Sequence, residues 1–297
     1  MLPPTLISIC IPTYNGEKYI AETLASVSSQ TFRNFEVIIS DNLSTDNTLD
    51  TVNEWKDQQS FPVHVFSNKD KGIGNNWNFC VEKSIGKYIK FIFQDDVMRE
   101  DCLERMMAVF GQNPQIKFVA CKRKFIDSST TQDKKLIKAW INKYQNLQSQ
   151  FMNDEDYLYV VSKNIFKQDH FFQSPTNKIG EPSAVMFEKS IIKKVGLFNT
   201  KLVQILDFEY WYRVLIYYDI TIISEPLVSF RLHDRQETHV NRSKQISEYP
   251  FYMEFVYRTL FFHLSFSKQF SLLEERFVMF RYIRAFYGKT KKLITDR

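Results

Sequence analysis

Asp95 and Asp96 are adjacent carboxylates that close a run rich in β-branched and aromatic residues, Lys87 to Phe93. Read physically, the run is a strand that carries two acids to the edge of a sheet. Neighbouring carboxylates repel each other, so such a pair is costly unless a cation offsets it. Hard divalent ions such as Mg²⁺ or Mn²⁺ take oxygen ligands, usually one or two carboxylates plus phosphate oxygens. The pair is therefore either an acidic strand exit or a metal–phosphate site. A second candidate is Asp207, which precedes Phe208, Trp211, Tyr212 and Leu215 at i, i+3, i+4 and i+7 spacing. It reads either as an N-cap, stabilising its helix by roughly 1 kcal/mol, or as an acid–base group. A third is His233, at the end of the strand-like run from Pro226. A neutral imidazole can ligate a metal, although a lone histidine is equally a satisfied structural residue.

The elements that must position these groups alternate. Leu6 to Ile11 is a short apolar strand closed by the punctuation Pro12-Thr13-Tyr14-Asn15-Gly16. Ile20, Leu24 and Val27 then mark an amphipathic helix over 17–29. Phe35 to Ser40 is a second strand ending at Asp41-Asn42, followed by a helix over 45–58 and a third strand, Val63 to Phe66. A turn over 68–74 leads to a helix from Asn75, and the run into Asp95-Asp96 is the fourth strand. This spacing predicts βαβ units and a mainly parallel sheet. Ligands of such sheets bind beyond the carboxyl ends of the strands, so Thr13-Tyr14-Asn15, Asp41-Asn42 and Asp95-Asp96 should converge on one crevice. Neither GxGxxG nor GxxxxGK[ST] occurs, which excludes the standard glycine-rich phosphate grips.

Beyond the pair, Leu103, Met106, Met107 and Phe110 define a core-facing helix, and 117–122 a strand. The stretch 123–177 is polar and irregular, and is expected to hold loops and helices. Gly180-Glu181-Pro182-Ser183 reads as a turn before a strand that runs to Phe187. Residues 248–288 are helical and strongly aromatic. Eight basic residues against three acids over 268–297 account for the whole formal charge of +5. This C-terminal region either packs as a small appendage or forms a membrane-surface patch. The remainder is charge-balanced, so no nucleic-acid partner is expected. Four cysteines without CxxC spacing, no leader-like opening and no apolar run of the roughly 18 residues that a spanning helix needs point to the cytoplasm, with peripheral contact at the inner face of the cell membrane as an option.

Three phrases carry a more specific likeness. Ile9-Cys10-Ile11-Pro12-Thr13-Tyr14-Asn15, Glu36 through Thr48, and Gly86 through Phe91 leading to Asp95-Asp96 occur in order. Together they resemble the family 2 glycosyltransferases of the GT-A fold, bacterial surface-polysaccharide type. The resemblance implies an α/β fold: a Rossmann-like, mixed but mainly parallel sheet flanked by helices, with a C-terminal helical appendage. It implies a GT-A domain over 1–240, divided into a nucleotide-sugar half (5–122) and an acceptor half (123–240), and an appendage over 241–297. It assigns Pro12, Thr13, Tyr14, Asn15, Asp41, Asn42, Asn78 and Asp95 to the nucleotide. It assigns Asp95, Asp96 and His233 to Mn²⁺ or Mg²⁺, and Asp207 to the catalytic base. Glu181, Pro182, Ser183, Glu209, Trp211, Arg213 and Arg231 serve the acceptor or support the site.

The chain departs from the family pattern twice. Phe93 stands where an acid is usual before the acidic pair, and Leu206 where Glu usually precedes the base. The implied activity is inverting transfer of a hexose or N-acetylhexosamine from a nucleotide-sugar, UDP-linked in first preference, to a glycan or lipid-linked glycan. The rivals are a sugar-nucleotide nucleotidyltransferase, which would want a basic glycine-rich loop after the first strand, and a non-catalytic sugar-binding scaffold.

Overall fold

Strand β1 (Ile7–Thr13) is buried along its whole length, and so is β2 (Phe35–Asp41) beside it. Both are near-continuous apolar runs because helices cover both faces of the sheet. Strand β3 (Val63–Ser67) pairs with β2, and β4 (Tyr88–Phe91) with β1, all in parallel. The connecting helices are α1 (Ile20–Ser28), α2 (Thr48–Lys56) and α3 (Ile73–Lys83). Alternate residues of β1 face opposite layers. Ile7, Ile9 and Ile11 pack in one core with Ile20, Leu24 and Val27 of α1; Cys10 packs in the other with Trp77, Cys80 and Val81 of α3. The computed structural model describes residues 5–130, 134–153, 155–234 and 247–277.

After β4 the sheet turns mixed. A two-residue strand, β5 (Val97–Met98), leads to α4 (Cys102–Gln112) and the long β6 (Phe118–Asp127). The irregular stretch contains α5 (Lys134–Tyr144) and β7 (Leu158–Val161). Strand β8 (Val185–Glu188) inserts antiparallel between β4 and β6. After α6 (Ile192–Val195) and α7 (Leu206–Leu215), the 13-residue β9 (Ile220–Leu232) pairs parallel with β6 and antiparallel with β5 and β7. The spatial order is β3-β2-β1-β4-β8-β6-β9-β5, with β7 on β9, and the longest ladders are parallel. Registers shift between Cys121 and Arg123, where Ser224, Glu225 and Leu227 are the extra residues, so β9 carries the bulge; Arg123 beside it is buried.

Two expectations are corrected here. The fourth strand stops at Phe91, so Asp95 and Asp96 lie in a turn beyond the strand end. The strand expected over 117–122 runs on to Asp127 because β9 accompanies it.

The C-terminal helices Tyr249–Phe255 and Phe266–Arg276 pack onto the same core as α7. Tyr252, Val256, Leu260, Leu264 and Leu272 are buried there. Burial of such side chains is worth roughly 1.5–3 kcal/mol each before ordering entropy is counted, enough to make the docking intrinsic to the fold. Phe280, Phe286 and the basic residues beyond Phe277 lie outside the described residues. A single carboxylate reinforces the docking. Glu248, itself buried, accepts hydrogen bonds from the main-chain N–H groups of Val203 (2.7 Å), Gln204 (2.9 Å) and Ile205 (3.0 Å), just ahead of α7. Removing one acceptor that serves three amides leaves donors unsatisfied, each costing about 1–3 kcal/mol when buried. Glu248→Ala should therefore lose about 2–4 kcal/mol of stability, read as a lower urea midpoint with an unchanged slope.

Candidate active site

Three loops at the carboxyl ends of β1, β2 and β4 are tied to one another by hydrogen bonds. Thr13 Oγ1 donates to Asp41 Oδ1 (2.9 Å), joining the ends of β1 and β2. Tyr14 and Gln94 clasp each other: Tyr14 N–H donates to Gln94 Oε1 (2.9 Å) and Gln94 Nε2 to the Tyr14 carbonyl (3.0 Å). A Cβ at Gly16 would lie 2.4 Å from Gln94 Oε1, so glycine keeps the clasp closed. Asn15, at φ 47°, accepts from Thr45 N–H (2.8 Å) through Oδ1. Pro12 is the penultimate residue of β1, beside Ser40 of β2. The expected convergence of the three strand ends is what the structure shows.

Within these loops, several expected ligand contacts are already occupied. Asp41 is fully buried, and its oxygens also accept from the Ser44 hydroxyl and N–H. Asn42 donates to the carbonyls of Asn68 (2.9 Å) and Asp70 (3.0 Å) and accepts from Gly72 N–H (3.0 Å). Asn78 pairs both faces of its amide with the Phe198 main chain, at 2.9 and 3.0 Å. These side chains shape the loops from within, while Tyr14 and Leu43 stand exposed. Leu43 holds φ 65°, an uncommon conformation for a residue of its size.

The acidic pair divides its tasks. Asp95 is partly exposed, and its Oδ2 shares a 2.8 Å hydrogen bond with His233 Nε2. Asp96 is fully buried; its Oδ1 accepts the Arg231 main-chain N–H (3.0 Å), and its Oδ2 has no hydrogen-bond partner. Burial first, and the neighbouring Asp95 next, push the Asp96 carboxyl well above the usual range. Among the described residues, no three His, Cys, Asp or Glu side chains converge as a ready metal cage. Asp95 bonds His233, whereas Asp96 bonds the Arg231 main chain near the end of β9. The groups present still suit a hard cation, which takes one or two carboxylates and completes its shell with phosphate oxygens and water. They offer the Asp95–His233 pair and, behind it, a buried carboxylate oxygen without a partner.

Arg231 braces this turn. Its Nε donates to the Asp95 carbonyl (2.8 Å), Nη1 to Ser128 Oγ (2.9 Å), and Nη2 pairs with Glu22. Its guanidinium lies 4.7 Å from the centre of the Tyr19 ring, and the His233 ring packs 4.9 Å away on the same tyrosine. Tyr19 was not singled out by sequence reasoning. Its only signal there is a place ahead of α1, with no periodicity to mark it.

Phe93 turns from the cleft to pack against Trp77, with ring centres 5.0 Å apart. Its N–H donates to Ser183 Oγ (3.0 Å), while buried Lys90 extends Nζ to the Ser183 and Phe91 carbonyls. Pro182 opens the short 3-10 turn Pro182–Ala184 that holds Ser183 in this position. The segment 177–183 thus touches the acidic turn at one end. At the other, Asn177 Nδ2 donates to Asp207 Oδ2 (2.9 Å). Midway, Gly180 adopts φ +147°, which side-chain-bearing residues rarely do, and its carbonyl accepts from Trp211 Nε1 (2.9 Å).

Asp207 lies in the first turn of α7, not at its cap. The cap position is Ile205, and Glu248 serves the amides there. The N-cap alternative is thereby replaced. Asp207 Oδ1 is shielded and has no hydrogen-bond partner. Burial lifts the Asp207 carboxyl to about 7; the main-chain amides of Phe208 and Asp207 and the Asn177 side chain hold it down, and Glu181 raises it. Glu181 also raises Asp96, so it stands between the two acidic centres. Its counter-charge is buried Arg123, which also donates Nη2 to the Tyr144 carbonyl at the end of α5 (2.9 Å). Arg123 was likewise not foreseen, because it sat in the stretch without clear pattern. Glu209 and Arg213 form an i,i+4 pair (2.8 Å) that grips the carbonyls of Val195 (2.7 Å) and Leu197 (2.9 Å). That grip supports α7 from behind and does not open into the cleft.

Residues 8–196 match the family model for glycosyl transferase family 2. The chain belongs to that family. It is a glycosyltransferase, which sets aside the nucleotidyltransferase and scaffold alternatives. An uncharacterized glycosyltransferase of Methanocaldococcus jannaschii is 25% identical over 250 residues, 83% of this chain and 77% of that protein. The abequosyltransferase RfbV of Salmonella typhimurium is 28% identical over 167 residues, covering 55% of this chain and 46% of the relative. Among solved structures, Staphylococcus aureus TarS 1–349 in complex with UDP-GlcNAc superposes with a TM-score of 0.65 at 20% identity, over 91% of this chain and 71% of that one. A mannosyltransferase from Pyrobaculum calidifontis in complex with GDP-Man and Mn²⁺ gives 0.55 at 15% identity, over 80% and 59%. The GT-A fold is thereby shared.

The Tyr19 hydroxyl is buried without a partner, so this glycosyltransferase should tolerate Tyr19→Phe with a stability change within about 0.5 kcal/mol. Tyr19→Ala removes the surface on which Arg231 and His233 rest. It should lower the urea midpoint by more than the phenylalanine variant does.

Proposed function

We propose that this glycosyltransferase moves a sugar, with inversion, from a nucleoside-diphosphate donor to a hydroxyl of a glycan or lipid-linked glycan. The observation that carries the reading is Asp207. It is a shielded carboxyl lifted to about 7, with one oxygen held by Asn177 and the other without a partner. It is joined through 177–183 to the acidic turn.

The nucleoside would lie against the clasped loops of Thr13, Tyr14 and Asn15, over the platform that Asp41 and Asn42 stiffen, with Pro12 at its edge. Asp95 and His233 would hold a divalent ion, Mn²⁺ or Mg²⁺, with Asp96 behind them. When bound, the ion neutralises charge on the diphosphate leaving group. The Asp207 carboxylate receives the proton of the acceptor hydroxyl. The acceptor oxygen bonds to C1 of the sugar as the bond from C1 to the phosphate oxygen breaks. The nucleoside diphosphate departs, and a single displacement from the opposite face inverts C1. Glu181 stands between the two centres and would be the nearest of these side chains to the acceptor, with buried Pro182 and Ser183 supporting it from beneath. A UDP-linked N-acetylhexosamine is the first donor to test, because the TarS complex with UDP-GlcNAc matches more of the chain than the GDP-mannose complex does.

Contact with a membrane surface is supported by Phe251, Phe262 and Phe266, which are 55%, 88% and 80% exposed on the C-terminal helices. Among the described residues, no helix is long and apolar enough to cross a membrane. A lipid-linked acceptor would suit such a surface. Co-sedimentation with anionic vesicles that falls on Phe262→Ser with Phe266→Ser supports this reading, and unchanged co-sedimentation rejects it.

A thermal-shift panel of UDP- and GDP-sugars, with and without Mn²⁺, tests the donor. Asp207→Asn should lower kcat by about 10²–10⁴-fold, as loss of a general base does, with donor affinity nearly unchanged. Near-native turnover in that variant would falsify the assignment. Because the base must be unprotonated, and its carboxyl is lifted to about 7, kcat/KM should fall tenfold per pH unit below that midpoint and level off above it.

A further inference from the structure

Asp207 and Asn177 belong to a closed loop of contacts. Helix α7 carries Asp207, Trp211 and Tyr212. Trp211 Nε1 donates to the Gly180 carbonyl at 2.9 Å, and the Tyr212 hydroxyl donates to the Thr176 carbonyl. Those two bonds hold both ends of the turn 176–180 against α7. From the middle of that turn, Asn177 reaches back to the carboxylate on the same helix.

The amide of Asn177 has only one way to sit. Its Oδ1 accepts from the N–H groups of Ile179 and Gly180, both at 3.0 Å. Its Nδ2 donates one hydrogen to the Gly180 carbonyl (3.0 Å) and the other to Asp207 Oδ2 (2.9 Å). A flipped amide would set oxygen against carbonyl and carboxylate, and nitrogen against two amides. A side-chain amide offers two donors on one atom and an acceptor on the other, so the network permits one orientation. The carboxylate therefore meets a fixed side-chain donor at Oδ2, beside the main-chain amides of Phe208 and Asp207.

We propose that Asn177 is the positioning residue of the catalytic carboxylate: through its hydrogen bond to Oδ2 it fixes the Asp207 side chain in the one orientation in which it meets the acceptor hydroxyl. This rests on the reading of Asp207 as the base. It adds a third group that orients the base, an arrangement that recurs where a proton acceptor must be held in one geometry. A donor to a carboxylate also favours the charged form, which opposes the effect of burial. The charged and titratable groups facing Asp207 are Glu181, which raises it, the Tyr212 phenol on its own helix, and, behind Glu181, the Arg123 guanidinium. Asn177 is the side chain among its neighbours that lowers it.

Asn177→Asp separates positioning from mere support of the turn. The replacement is nearly isosteric and keeps an oxygen for the Ile179 and Gly180 amides, but it presents no amide hydrogen to Asp207. The readout is the pH profile of kcat/KM for nucleotide release, using the UDP- or GDP-sugar selected in the thermal-shift panel, with Mn²⁺ and with water as acceptor. The acid limb should move up by at least about one pH unit, so that activity falls about tenfold at pH 6 and largely recovers by pH 9. The donor's thermal shift should not change. Asn177→Ala should move the limb the same way, and it carries the test alone if the aspartate variant does not fold. A loss of activity equal at all pH values, or a limb that stays at its native midpoint, overturns the proposal while leaving the base assignment intact. Retained turnover in Asp207→Asn overturns the base assignment instead.

Discussion

Asp95 repels Asp96, and Glu181 repels both Asp96 and Asp207, and this chain of carboxylate repulsion is the constraint that the rest of the structure answers. Each is met by a different partner. Asp95 has His233, and Asp96 has the Arg231 main-chain amide and the field of buried Lys90. Glu181 has Arg123, and Asp207 has Asn177. Isolated buried charges are strongly disfavoured, and breaking a buried pair by removing one partner costs more than the pair gains over apolar packing. The arrangement therefore reads as one that keeps charge in place for a ligand. Its yield in stability is secondary.

The two acidic centres reach the cleft by different routes, and one short segment sets the distance between them. Residues 177–183 are bonded to the Phe93 amide at one end and to the Asp207 carboxylate at the other. Strand β8 continues from that segment and lies between β4 and β6. The segment is thus anchored to the centre of the sheet, and both centres share a rigid frame. Glu248 extends that frame to the C-terminal helices, since one carboxylate there gathers the three amides ahead of α7. The aromatic C-terminal region consequently has two characters: an inner face continuous with the α7 core, and an outer face carrying Phe262 and Phe266.

Neighbours in sequence need not share a task. Asp95 and Asp96 look equivalent in a string of letters, yet one is partly exposed beside His233 and the other is sealed under Arg231. Likewise Asn42 and Asn78, which offer good base-pairing chemistry on paper, hold the loop at 68–72 and the Phe198 main chain. Phe93, where an acid was expected, takes its place in the Trp77 cluster.

The sequence by itself determined the alternating βαβ half, the parallel sheet, the loops that converge at strand ends, and the family. These follow from local signals: apolar periodicity, Pro-Asn-Gly punctuation, and three phrases in order over the first hundred residues. It also marked Asp95, His233 and Asp207. Only the tertiary structure decided which carboxylate faces outward, and that Asp207 sits one residue inside α7 while Glu248 gathers the amides just ahead of it. The same holds for Tyr19, Arg123, Lys90 and Asn177, whose place around the acids no spacing announces. Their partners lie tens to more than two hundred residues away in the chain. A charge's environment is set by what the fold brings beside it, and local pattern carries no record of that.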